Sequence, residues 1–98
     1  MSMSRFSTYN VRTAAQEANR QWWASSLARY TAGRRQELGL TIAQAAELAG
    51  LELSEWAGIE EGWVPDEIST LRAIAGVLEV RWTDYNTLAF LAGCHLWG

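Results

Sequence analysis

Residues 41–62, TIAQAAELAGLELSEWAGIEEG, constrain the fold of this chain more than any other stretch. Thr41 followed by Gln44 has the spacing of a capping box, which opens a helix. Gly50 can take the left-handed conformation that ends a helix. Ala46, four residues earlier, is small enough to let a second short helix cross the first closely. The stretch therefore predicts a helix-turn-helix.

The rest of the chain also has helical patterns, and no segment shows the alternation of a strand. Apolar residues recur at helical spacing before residue 41, on a stripe that Arg34 shares, at Trp23, Leu27, Tyr30 and Leu38. They predict a helix from about Arg12 to near Gly39. Gly33 weakens a helix by roughly 1 kcal/mol relative to Ala. The pattern is therefore compatible with one long helix and with two shorter helices.

Two further helices are expected after residue 62. Asp66 can cap the first, and Thr83 or Asp84 can cap the second. The polar residues 1–11 predict a flexible N-terminal arm, followed by a single helical domain over residues 12–98. The predicted fold is all-α with five helices, the first of them extended.

Composition excludes several classes of protein. No run approaches the roughly 18 apolar residues of a membrane span, and the first residues, MSMSRFSTYNVR, lack the apolar region of a secretory signal. A single cysteine, Cys94, suits the cytoplasm, and with His95 it is too little for a zinc site. No nucleotide-binding glycine pattern or catalytic triad is present, so we expect neither a cofactor nor an enzymatic activity.

Charge is divided unevenly along the chain. Residues 1–40 contain six Arg and two Glu, whereas residues 41–80 contain eight carboxylates and one Arg, and there is no lysine. The predicted second helix of the helix-turn-helix and its end carry Glu52, Glu55, Glu60 and Glu61. Duplex DNA binds cations, so this charge opposes the DNA-binding use that a helix-turn-helix usually has.

The pattern resembles the Cro/C1 repressor type of helix-turn-helix, also called the XRE family. The resemblance covers residues 35–82 and rests on Arg35, Gly39-Leu40-Thr41, Ala46, Gly50-Leu51, Ile59-Glu60, Gly62, Pro65, Leu71, Ile74-Ala75, Leu78 and Val80. It implies a five-helix, lambda-repressor-like DNA-binding domain. It also implies that residues 52–59 form the recognition helix, which lies in the major groove, and that the protein is a homodimer on a palindromic operator.

The chain departs from the family pattern at several positions. Ile42 replaces a usual Gln, Ala45 a usual Leu, and Trp56 a usual Ile or Val. The base-facing positions, where family members have Ser, Arg, Gln, Asn or Thr, are Glu52, Leu53, Ser54, Glu55, Ala57 and Gly58. The resemblance therefore indicates shape more strongly than activity.

Three hypotheses about function remain. As a transcriptional regulator, the chain would bind double-stranded DNA with Thr41, Gln44, Ser54 and Glu55 in the groove, and with Arg34 and Arg35 on phosphates. Alternatively, the fold serves as a protein-interaction module, antitoxin-like or a phage regulatory protein, that contacts a basic partner through the acidic third helix. A third hypothesis is DNA binding only within a complex whose partner supplies cations.

Six tryptophans are many for 98 residues. Trp23, Trp56 and Trp82 are expected in the core. Tryptophan is also favoured at protein interfaces, and the C-terminal run of residues 88–97 is too apolar for a free tail. The candidate interface residues are Trp22, Trp63, Phe90, Leu91 and Trp97.

Overall fold

Five α-helices make up the computed structural model, which describes the backbone of residues 2–92 and the side chains of residues 14–92. The helices are α1 Ser2–Glu37, α2 Ile42–Ala49, α3 Leu53–Glu60, α4 Ile68–Leu78 and α5 Trp82–Leu91. No strand occurs in this part of the chain. The all-α, five-helix prediction is confirmed. Within the same residues, no helix is both long enough and apolar enough to cross a membrane.

The first helix is one continuous element and is longer than the pattern predicts. Gly33 does not interrupt it, and a Cβ at this position would have no neighbour within 4 Å. Residues 2–11, expected to form a flexible arm, have helical backbone. The flexibility of that segment in solution stays a prediction.

The buried face of α1 differs from the predicted stripe. Ala24, Leu27, Ala28 and Thr31 are buried, whereas Tyr30 is 37% exposed. These four positions follow the spacing of three and four residues that one helix face requires. The predicted stripe follows the largest side chains and misses Ala24 and Ala28, because such small side chains add little to an apolar pattern.

The turn between α2 and α3 forms as its residues predict. The Thr41 hydroxyl accepts from the Gln44 N–H at 3.1 Å, and the Gln44 side chain accepts from the Thr41 N–H at 2.9 Å. Gly50 ends α2 with φ 71°, ψ 29°, in the left-handed region. The predicted capping box and the glycine stop are both confirmed.

The caps of the last two helices differ from the prediction. Glu67, not Asp66, is the N-cap of α4, since the Leu71 N–H bonds to the Glu67 carbonyl and leaves Asp66 one residue outside the helix. Arg81 is the N-cap of α5, because its carbonyl accepts the N–H groups of Asp84 and Tyr85. Thr83 and Asp84 therefore lie inside the first turn, where neither can serve as the cap.

One apolar cluster lies between the helices and fixes the position of α2 and α3. Its buried members come from all five helices: Leu27, Ala45, Ala46, Trp56, Ile59, Leu71, Ile74, Ala75, Leu78, Tyr85 and Ala89. Trp56 is fully buried, and Trp82 is half-buried against the cluster. Trp23 is half-buried too, but it packs edge-to-face on Trp22, with ring centroids 4.8 Å apart.

Candidate functional site

The inner faces of α2 and α3 hold the two helices together. Ala45 and Ala46 of α2 are buried, as are Trp56 and Ile59 of α3. Two alanines allow the backbones to approach, and the Trp56 ring fills the volume that a smaller residue would leave empty. The same packing determines which residues of α3 point outward.

An ion pair ties α3 to α1 beneath this outward face. The guanidinium of Arg35 contacts the Glu60 carboxylate through Nε at 2.6 Å and Nη2 at 2.9 Å, and Nη1 donates to the Leu40 carbonyl at 2.8 Å. The Trp56 indole N–H donates to the same carboxylate at 2.6 Å. The side chains of Arg35 and Glu60 are only 11% and 9% exposed. The hydrogen bonds that the Arg35 guanidinium donates to the Glu60 carboxylate raise the pKa of Arg35 above its ordinary value.

A second glutamate of α3 is used for capping. The Glu55 carboxylate accepts the N–H of Glu52 at 2.9 Å, so it folds back over the start of the helix. A carboxylate in this place stabilises a helix N-terminus by about 0.3–1 kcal/mol. Two of the four glutamates that oppose DNA binding in the sequence, Glu55 and Glu60, therefore have internal roles, while Glu52 and Glu61 are exposed.

The polar residues expected in the groove lie on the surface. Thr41, Gln44 and Ser54 are all exposed. Thr41 and Gln44 use their side-chain oxygens in the capping box, which leaves the Gln44 amide nitrogen without a partner among the described residues. That nitrogen and the Ser54 hydroxyl are hydrogen-bonding groups that a ligand can reach.

The two arginines expected on phosphates are structural in this fold. Arg35 is held by Glu60, and the Arg34 Nε donates to the Leu78 carbonyl at 2.8 Å while its Nη1 reaches Glu37 at 3.2 Å. Arg35 thus joins α1 to α3, and Arg34 joins α1 to the end of α4. The Arg35 side chain is 11% exposed, whereas 30% of the Arg34 side chain is exposed, and contact of either guanidinium with a phosphate stays a prediction. Spacing along the chain gave no sign of either long-range contact.

The other arginines with described side chains have partners of several kinds. Arg20 pairs with Glu17, and Arg81 lies 3.5 Å from Asp84. The Arg72 guanidinium is over the Trp82 ring, 5.1 Å from its centroid. Arg29 makes only a long contact, 3.5 Å, to the Ser26 hydroxyl.

Most of the candidate interface residues are exposed. Trp22, Trp63, Phe90 and Leu91 are 58%, 49%, 68% and 38% exposed, and Trp97 lies outside the described residues. Three exposed large apolar residues were not among the candidates: Tyr30 at 37%, Leu48 at 65% and Leu53 at 56%. A helical projection of α2 could have revealed Leu48, because it places this residue off the face that holds the buried alanines.

Trp63 lies against the outward face of α3. A Cβ built on Gly58 would be 3.7 Å from the Trp63 Cβ. That distance is an ordinary van der Waals contact, so Trp63 lies beside Gly58 of α3. As a result, the outward surface near α3 combines exposed apolar groups, Leu53 and Trp63, with the carboxylates of Glu52 and Glu61.

No metal site occurs within the described residues, where no three His, Cys, Asp or Glu side chains come together. Cys94 and His95 lie outside those residues. No protein-family model, curated protein or solved structure matches the chain.

Proposed function

We propose that this chain is a cytoplasmic DNA-binding transcriptional regulator of the Cro/C1 helix-turn-helix type, with a lambda-repressor-like fold. The observation that carries the proposal is the α2–α3 unit itself. Its inner face is locked by Ala46 and Trp56, and its outward face presents Thr41, Gln44 and Ser54 to solvent. In this proposal α3 enters the major groove, and these polar groups contact the DNA.

The internal contacts of α3 reduce the conflict between fold and charge. Glu60 is neutralised by Arg35, and Glu55 is folded onto the N-terminus of its own helix. Glu52 remains at the base-facing end, where a carboxylate can accept a hydrogen bond from a cytosine amine. Of the four glutamates, only Glu60 is paired with a cation, and the most exposed of the other three are Glu52 and Glu61.

Phosphate contacts in this mechanism come from arginines other than Arg34 and Arg35. Arg5, Arg12 and Arg29 all belong to α1, and the described side chain of Arg29 contacts Ser26 of the same helix. They are fewer than the roughly 6–10 cations of a tight DNA binder. We therefore expect binding that is measurable at low salt and weak at physiological salt, and that improves when two copies bind together.

Fluorescence anisotropy with mixed genomic duplex fragments tests this proposal at low and at physiological salt. The informative variant is Glu52→Gln/Glu61→Gln, which removes both exposed carboxylates from α3. A pair of unit charges about 4 Å apart in water interacts by about 1 kcal/mol. Removing two repulsive carboxylates is therefore worth up to about 2 kcal/mol, and we expect binding to tighten by at most roughly thirtyfold. Asp66→Asn/Glu67→Gln removes the same charge from the connector before α4 and should change affinity less.

The outcomes separate the proposal from its competitors. Absence of binding at low salt contradicts autonomous DNA recognition. If Glu52→Gln/Glu61→Gln and Asp66→Asn/Glu67→Gln increase the affinity for DNA equally, the placement of DNA on α3 is contradicted. An Arg34→Ala/Arg35→Ala variant is unsuitable for this test, because it removes two contacts between helices and so changes stability as well as charge.

A second candidate function is a protein-interaction module, antitoxin-like or of a phage regulatory kind. The observation that favours it is the pairing of exposed Leu53 and Trp63 with exposed Glu52 and Glu61. Such a surface suits a partner that is basic and partly apolar. Loss of DNA binding at low salt would support this candidate, and recovery of DNA binding on adding a cationic partner protein would support the hypothesis of a joint complex.

A further inference from the structure

Two hydrogen bonds that hold the end of the chain beside α1 show the direction in which α5 runs. The Arg34 Nε donates to the Leu78 carbonyl, shortly before α5 begins, at 2.8 Å. Further along the chain, the Tyr85 hydroxyl lies 2.8 Å from the hydroxyl of Thr31, which precedes Arg34 in α1. The chain therefore moves toward the N-terminal half of α1 as α5 proceeds, and the two helices are antiparallel.

The buried faces of α1 and α5 match in this antiparallel arrangement. Ala92 lies seven residues after Tyr85, and Ala24 lies seven residues before Thr31, so both intervals are about 10 Å along a helix axis. Both alanines are buried, at 0% and 7% exposed. In a parallel arrangement Ala92 would lie beside Leu38, beyond the end of α1. Ala92, the C-cap of α5, is therefore level with Ala24.

Two tryptophans of α1, Trp22 and Trp23, lie directly ahead of this point, and we call them the tryptophan pair. Trp23 precedes the buried Leu27 by about one helical turn and is half-buried. Trp22 is 58% exposed and packs edge-to-face on Trp23. Neither ring contacts any other aromatic ring among the described residues. The apolar face of α1 thus ends at two large side chains that the described residues cover only in part.

The α1 residues immediately before the tryptophan pair present no unpaired charge. Glu17 and Arg20 form an ion pair, and the Gln21 amide donates to the same carboxylate at 3.1 Å. These side chains therefore have their partners within α1. What remains to be gained at this place is the burial of apolar surface, which favours an uncharged, apolar occupant.

Residues 93–98, GCHLWG, have this chemistry and follow Ala92 directly. They include Leu96 and Trp97 and contain no Asp, Glu, Lys or Arg. Six extended residues span up to about 20 Å. The tryptophan pair is only about 3 Å beyond the level of Ala92, measured along the axis of α1. The segment is therefore long enough to cross from α5 to the pair.

The covalent connection to α5 favours this segment over any other occupant. A segment joined through a few residues has an effective concentration on the order of millimolar. A second copy, or a separate protein, reaches such a concentration only in a very concentrated solution. Residues 93–98 of the same chain therefore have the advantage at this surface.

We propose that residues 93–98 continue along α1 past Ala24 and cover the tryptophan pair, with Leu96 and Trp97 as the covering side chains. The docked segment extends the apolar core along α1. Trp22 and Trp97 then contact each other, which removes two candidate interface residues from the surface open to a partner. The proposal does not depend on DNA binding, since it concerns only α1 and the segment after α5.

A double-mutant cycle between Trp22 and Trp97 in the full chain tests this contact. Trp22→Ala, Trp97→Ala and the double variant are compared by urea unfolding followed by circular dichroism. We expect the two changes to be coupled by roughly three- to tenfold in the unfolding equilibrium constant, because the second change removes a contact that the first has already broken. Trp63→Ala with Trp97→Ala is the matched control, since Trp63 is 49% exposed but lies beside α3, and these changes should be additive.

The indole N–H resonances of the tryptophans give a second readout, which reports contact and does not depend on stability. Trp97→Ala should shift the signals of Trp22 and Trp23 and leave those of Trp56 and Trp63 unchanged. These shifts should persist when the protein is diluted. Additive effects of Trp22→Ala and Trp97→Ala overturn the proposal, as do Trp22 and Trp23 signals that do not respond. Shifts that vanish on dilution overturn it as well, because they would assign the covering segment to a second copy.

Discussion

Replacing Glu60 by glutamine tests the role of the buried pair in the fold. The pair is 11% and 9% exposed, and Glu60 also accepts the Trp56 indole N–H. Removing one partner of a buried ion pair costs about 3–5 kcal/mol, because the remaining charge is left without compensation. Glutamine keeps one acceptor oxygen, so we expect a loss near the lower end, about 3 kcal/mol. For a domain of this size that loss corresponds to a melting temperature about 12–24 °C lower.

Urea unfolding followed by circular dichroism at neutral pH measures this loss. Glu61→Gln is the matched control, since Glu61 is the next residue and is exposed. We expect it to remain within about 0.5 kcal/mol of the wild type. The variant Arg35→Met/Glu60→Leu removes both charges and should be more stable than Glu60→Gln. If Glu60→Gln is as stable as Glu61→Gln, the pair is not desolvated and the reasoning is wrong.

Three other perturbations have expected outcomes that unfolding experiments can measure. Thr41→Ala removes the hydroxyl that caps α2 and should cost about 1 kcal/mol in urea unfolding; an unchanged midpoint would contradict the capping role. Gly50→Ala should lower the melting temperature, because φ is 71° there, whereas Gly33→Ala should raise it by removing a helical glycine; shifts of the same sign would contradict this account. Burial raises the pKa of the Tyr85 hydroxyl above its ordinary range. The contribution of the protonated tyrosine to the free energy of unfolding is therefore complete below about pH 10. This contribution is lost at higher pH, because Tyr85 ionises first in the unfolded chain. Tyr85→Phe should therefore fall less steeply in unfolding free energy between about pH 9 and 11 than the wild type; equal slopes would place Tyr85 in water.

The local signals in residues 41–62 were sufficient to predict the two short helices α2 and α3 and the glycine that ends the first of them. Thr41, Gln44 and Gly50 each act within a few residues of themselves, through a capping bond or a left-handed turn, so their consequences can be read from spacing. The caps at Asp66 and Asp84 were predicted from the same kind of signal and were wrong. In both places several neighbouring residues could begin the helix, and residue type alone does not distinguish among them.

The electrostatics of the candidate site could not be predicted from spacing. Arg35 and Glu60 are 25 residues apart, and Arg34 and the Leu78 carbonyl are 44 apart, so only the fold brings each pair together. The sequence counted Glu60 against DNA binding and Arg35 in its favour, whereas the structure uses each to neutralise the other. The charges of Arg35 and Glu60 therefore cancel in the balance for DNA binding, and the outward residues of α3 determine the function.

Chemical-shift mapping of the full chain with duplex DNA at low salt tests the central claim most directly. If α2 and α3 form the DNA-binding surface, the largest amide shifts will cluster at Thr41, Gln44 and Ser54, and they will diminish as salt is added. Shifts at Gly76 will be small, because α4 lies outside that surface. Shifts that are absent at low salt, or confined to α4 and α5, would contradict the assignment of the α2–α3 unit as the site of DNA recognition.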